Sequence, residues 1–93
     1  MDLRAAARDQ SCVRCGREDG TVVLAHYTGA RRLALGGGFG IKVHDLAGAH
    51  LCSACHAEMD TWSREKGTKW LHSEEFLYLC VKTAIRLFEQ GKL

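Results

Sequence analysis

A small α+β domain with a C-terminal helix is what three features of the sequence predict: two Cys-x-x-Cys pairs, a β-branched run that closes on a histidine, and two stretches of helical periodicity. At 93 residues the chain reads as one domain spanning 1–93. Aromatic residues make up only 8% of it, so its apolar surface is modest, and chains of this size commonly need a staple.

The cysteines can supply that staple. Cys12/Cys15 and Cys52/Cys55 each form a turn that can aim two thiolates at one point. Four thiolates at about 2.3 Å close a tetrahedral structural Zn²⁺ site with no open position. The 36 residues between Cys15 and Cys52 must then be an excursion that returns to the metal. Cys80 falls among apolar residues of the last helix and reads as a buried small hydrophobe. Five cysteines cannot form a fully paired disulfide framework, and no thioredoxin-like βαβ pattern surrounds either pair, which argues against a redox protein.

Taken in order, Leu3 to Arg8 holds good helix formers and predicts a short helix before the first cysteine pair. Gly16 and Gly20 bracket a turn, after which Thr21, Val22, Val23 and Leu24 predict a strand ending at His26. Thr28 to Gly40 changes abruptly to glycines with Arg31 and Arg32, a basic loop with little to bury. Ile41 to Val43 predicts a second strand, followed by a turn over Asp45 to Gly48 that leads into His50 and Leu51. A helix is expected from Ser53 to about Lys66, stopped by Gly67. The last helix is expected to begin at an N-cap, Ser73, with Glu74 and Glu75 against its dipole. It would carry Leu77, Cys80, Val81, Ala84, Leu87 and Phe88 inward as far as Gly91.

The formal charge of +2 is too weak to mark nucleic-acid binding by itself. Placement says more. Arg4, Arg8, Arg14 and Arg17 surround the first cysteine pair, Arg31 and Arg32 sit in the central loop, and Arg64, Lys66 and Lys69 follow the second pair. These are either a solvated surface or contacts for phosphates. The stretch from Met1 to Gln10 lacks the apolar run of a signal peptide, and no run of about 18 apolar residues could span a membrane. The expectation is a cytoplasmic, reduced setting, where Cys-x-x-Cys pairs bind metal more often than they oxidise.

Two further residues suggest a second, different metal position. His56 follows Cys55 directly and Asp60 lies four residues on, so both project from one face of the helix and could chelate an ion or form a plain surface ion pair. His26 closes its strand just before a glycine-containing loop, where a histidine can be held rigidly and still meet solvent.

Here the sequence resembles a family. A histidine ending one strand, a polar residue before a second and a Cys-x-x-Cys-His opening a helix resemble the ββα-metal arrangement of HNH, or His-Me finger, nucleases. Leu3-Arg4-Ala5-Ala6-Ala7-Arg8, Val23-Leu24-Ala25-His26, Gly40-Ile41-Lys42, Asp45-Leu46 and Cys52-Ser53-Ala54-Cys55-His56 are similar, in order, to the prophage nuclease family YbcO. The resemblance covers nearly the whole chain and implies a zinc-stabilised ββα-metal (HNH-like) domain that cuts DNA.

It further implies that His26 is the general base and that His56 holds a catalytic Mg²⁺ or Mn²⁺ against the phosphate. The sequence departs from the HNH pattern twice. Ala25 stands where many members have a metal ligand, and no Asn occupies the middle position. Asp45 is the best substitute for that Asn, orienting His26 or joining the metal's ligands, Asp60 would replace the ligand missing at Ala25, and His44 and His50 are rivals for either role. The alternative is a non-catalytic zinc module that binds DNA or a recombination protein. No base-reading element is evident, so little sequence preference is expected. The sequence leaves oligomeric state open, although Trp62, Trp70, Phe76 and Tyr78 could supply a dimer surface.

Overall fold

The computed structural model describes residues 2–38, 40–64 and 69–93, the side chains of 62–64 and 69–70 excepted. The stop expected at Gly67, the helix end at Lys66, and the rings of Trp62 and Trp70 lie outside what is described. The elements run α1 (Leu3–Ala6), β1 (Val23–His26), a 3₁₀ turn (Asp45–Ala47), β2 (Gly48–Leu51), α2 (Ser53–Arg64) and α3 (Lys69–Glu89). No helix among the described residues is long and apolar enough to cross a membrane.

The α1 turn is started by its N-cap: the Asp2 carboxylate accepts from the N–H groups of Arg4 and Ala5 at 3.0 and 3.2 Å. The two strands pair antiparallel, with Leu24 opposite His50 and His26 opposite Gly48. This corrects the expected second strand. Ile41 is 66% exposed and makes only an isolated bridge to Gly38, whereas Gly48–Leu51 is buried throughout. Close approach decides it: a Cβ at position 48 would stand 2.6 Å from Leu24 Cδ1, so only glycine lets the strands meet there.

The core lies between this ribbon and the helices. Tyr27 and Phe76 meet edge to face at 5.5 Å, with Leu51, Met59 and Leu79 buried around them. The α3 helix starts one turn earlier than Ser73. That residue lies inside the helix, where its hydroxyl accepts from the Ala30 N–H at 2.7 Å and so pins the start of the basic loop. Its inward stripe also differs from expectation. Phe76, Leu79, Cys80, Thr83 and Leu87 are buried, while Val81 and Phe88 face out. Apolar residues occupy two faces of α3, and Thr83 belongs to the inner one because its hydroxyl accepts the buried His50 N–H at 3.1 Å. With Phe76 inside, only Tyr78 of the two described ring positions remains for a dimer surface.

Candidate functional site

The cysteine pairs converge. Sulfur atoms of Cys12, Cys15, Cys52 and Cys55 all lie within 4.8 Å of one another. Cys15 Sγ and Cys52 Sγ are 3.7 Å apart, matching the edge of about 3.8 Å that a tetrahedron with 2.3 Å zinc–sulfur bonds requires. The donor set therefore fits a metal such as zinc. Gly16, at φ +80°, turns the chain back after the first pair, a conformation L side chains rarely adopt. The second pair opens α2, whose first N–H, on Ser53, is taken by the Thr21 hydroxyl at 2.9 Å.

The surroundings favour thiolates unequally. Burial works against ionising Cys12, yet backbone N–H groups of Cys52, Cys15 and Arg14 outweigh it and bring the thiol down to about 6. Burial pushes Cys55 up, opposed by Arg14, which donates to its sulfur at 3.6 Å. Arg14 also forks onto Glu58 of α2 through two contacts of 3.0 Å and holds that carboxyl below the usual range. Cys80 stays apart from the cluster, its thiol raised to about 12 by burial.

At the other end of the ribbon, His26 Nε2 lies 2.7 Å from Asp45 Oδ1. β1 delivers the imidazole, and the 3₁₀ turn, capped by His44 Nδ1 accepting from the Leu46 N–H, delivers the carboxylate. The His26 hydrogen bond holds Asp45 below its ordinary value against the cost of burial, and Arg4, 3.7 Å away, adds to the effect. A carboxylate only accepts, so Nε2 is the nitrogen that donates in this contact. Open clefts of about 280 and about 340 Å³ flank this histidine.

His56 and Asp60 face each other on α2 at 3.9 Å, both more than a third exposed. Neighbouring ligands about 2.1 Å from one ion stand about 3.0–3.4 Å apart, so the pair would have to close slightly to share a cation. Among the described residues, the four cysteines are the only group of three or more close His, Cys, Asp or Glu ligand atoms. Of the rivals for Asp45's place, His44 serves as the cap. His50 is fully buried, with Nδ1 2.7 Å from Arg86 Nη2.

A family model described as Putative nuclease YbcO matches residues 1–91. The chain belongs to that family. No curated protein and no solved structure matches it. Membership marks the chain as nuclease-like, a small α+β member of the YbcO family with a four-cysteine centre that can bind metal.

Two features of this YbcO-family chain escaped sequence reasoning. Arg4 and Arg8 were grouped with the first cysteine pair by proximity in sequence, but they line the smaller cleft beside His26, together with Lys42. Arg86, which sequence reasoning did not single out, donates to Ser11 Oγ and Ser11 O at 3.0 and 2.8 Å and so ties α3 to the first cysteine pair. The available signal was its step of three from Thr83 on a helix whose neighbouring positions are apolar.

Proposed function

We propose that this chain is a metal-dependent endonuclease hydrolysing DNA phosphodiester bonds in a single ββα-metal (HNH-like) domain, working in the cytoplasm of a phage's bacterial host. The observation that carries this reading is the His26–Asp45 contact of 2.7 Å at the mouth of two open clefts, in a chain of a nuclease family. Asp45 fixes the ring and its tautomer. His26 Nδ1 takes a proton from water as the water oxygen bonds to phosphorus and the bond to the leaving sugar oxygen breaks. His56 and Asp60 are the candidate holders of Mg²⁺ or Mn²⁺, and a divalent ion bound there would offset the charge that builds on the phosphate and the leaving oxygen. The four cysteines serve the fold.

A second reading, a zinc module that binds DNA or a recombination protein without cutting, is favoured by Ala25 and by the lack of a third close ligand beside His56 among the described residues. One assay separates the two. Wild type with Mg²⁺ or Mn²⁺ is expected to degrade duplex, single-stranded or branched DNA. His26→Ala is expected to stay folded and zinc-loaded while cleaving about 10²–10⁴-fold more slowly. Intact substrates with folded wild type, or full activity in His26→Ala, would leave the binding module as the better account.

A further inference from the structure

We infer that the two clefts beside His26 form one continuous track for a sugar–phosphate backbone, gripped by Arg4, Arg8, Lys42 and Arg32. His26 and Lys42 line both clefts, so a strand lying in one passes His26 into the other. Arg4 and Arg8 stand on the α1 side and Arg32 on the loop side. The inference deepens the nuclease reading, since it supplies the substrate path past the proposed base, but the binding it describes does not need cleavage.

The charges along this path are uncommitted. Arg8, Arg32 and Lys42 make no side-chain hydrogen bond or ion pair with any described residue, and Arg4 has only its 3.7 Å approach to Asp45. Elsewhere Arg14 is held by Glu58, Lys82 by the Val13 carbonyl and Arg86 by Ser11 and His50, while Arg31 and Lys92, like the track residues, make no side-chain hydrogen bond or ion pair with any described residue. Leaving three cations unpaired around two adjoining clefts makes sense if anions complete them. Arg4 also offsets the charge of Asp45 where a phosphate would pass.

The floor selects backbone over bases. Buried Val22 and Leu24 lie at the base of the smaller cleft, an apolar bed for a sugar face, and no aromatic residue lines it. Tyr27 borders the larger cleft, but its ring is packed edge to face on Phe76 and its hydroxyl accepts from the Arg31 N–H at 3.1 Å, so no base can stack on it. Among the described residues no free aromatic face lines either cleft, so recognition is expected to rest on phosphates.

The test is binding without added divalent ion, using short fluorescein-labelled single-stranded and duplex DNA over a salt series. Arg8→Ala and Lys42→Ala should each weaken binding and lower the slope of log affinity against log salt by about 0.7 on single strands or about 0.9 on duplex. The double variant should lose roughly twice that. The substrate form whose slope falls identifies which backbone the track takes. Arg17→Ala, an equal charge loss on the first knuckle, should bind as wild type. Circular dichroism and zinc content should be unchanged, because Arg8 and Lys42 are exposed. An unchanged slope in the double variant, or an equal loss in Arg17→Ala, overturns the track. Failure of the nuclease reading looks different: wild type does not cleave, while binding still depends on Arg8 and Lys42.

Discussion

Two histidines of the ribbon, by register on one face and two rungs apart, have opposite surroundings. His26 meets a carboxylate at 2.7 Å; His50 meets a guanidinium at the same distance. Asp45 can only accept, so Nε2 of His26 donates to it and Nδ1 stays out of the contact. Arg86 can only donate, so it consumes Nδ1 of His50 and leaves Nε2–H buried without a partner among the described residues. The first arrangement leaves a ring nitrogen beside open clefts, which is what the proposed base requires. The second seals a neutral ring where the sheet, α3 and the first knuckle meet. The residue type is shared, and the partner's charge and the access to water separate the roles.

The sealed end is expected to fail as a unit, and that is the largest effect available. A structural zinc site gains its binding energy in folding, on the order of 10–16 kcal/mol for small zinc domains. Cys12→Ser, or prolonged chelation, should therefore abolish cooperative unfolding and release the metal. Cys80→Ser should keep both. Elemental analysis finding no zinc in folded wild-type protein would break the comparison at its root, since the sealed end would then stand without its staple.

A smaller effect tests the sealed histidine itself. Burial brings His50 down to about 4, with Arg86 and Lys92 adding repulsion. Its folded value lies below its unfolded value of about 6.5, so the stability it contributes is complete above pH 6.5 and is lost as pH falls toward 4. The loss should reach about 3 kcal/mol, from about 1.4 kcal/mol for each pH unit crossed. Denaturation of wild type and His50→Gln at saturating zinc from pH 7 to 4 isolates it, because cysteine protonation is common to both. The variant should start less stable and close the gap on acidification. Parallel curves would mean that His50 is not held neutral.

How far this contrast could be read from the sequence follows from its physics. The cysteine pairs were legible because ligand spacing survives any path the chain takes between them. His26 was legible because a β-branched run fixes a strand end, and Asp45 because Asp45-Leu46 matched a family pattern. β2 was not. Gly48 and Ala49 have no strand preference, and Gly48 fits because its lack of a Cβ leaves room for the Leu24 side chain. Ser73 resembled a cap by type and position, yet a partner far off in sequence, Ala30, uses its hydroxyl. Arg4 and Arg8 were misplaced for the same reason. Chain proximity put them at the knuckle, and the packing of α1 against β1 and the 3₁₀ turn carries them to His26.

The smallest expected effect sharpens the open end. Asp45→Asn keeps an oxygen able to accept from His26 Nε2–H, so the ring and its tautomer should persist while the negative charge is lost. Rate should fall about tenfold, well short of the His26→Ala loss, because positioning survives and only the charge that stabilises the protonated imidazole is gone. In wild type the His26 hydrogen bond holds Asp45 below its ordinary value, so its contribution to stability is present above pH of about 4 and is lost as pH falls through that lowered value. The Asn variant has no such group, and its stability deficit relative to wild type should vanish in that acid window. A measured loss equal to that of His26→Ala, with zinc and fold intact, would show that charge rather than placement is what Asp45 gives. A deficit that persists once pH has fallen through that lowered value would show instead that the amide fails to take the carboxylate's place in the contact.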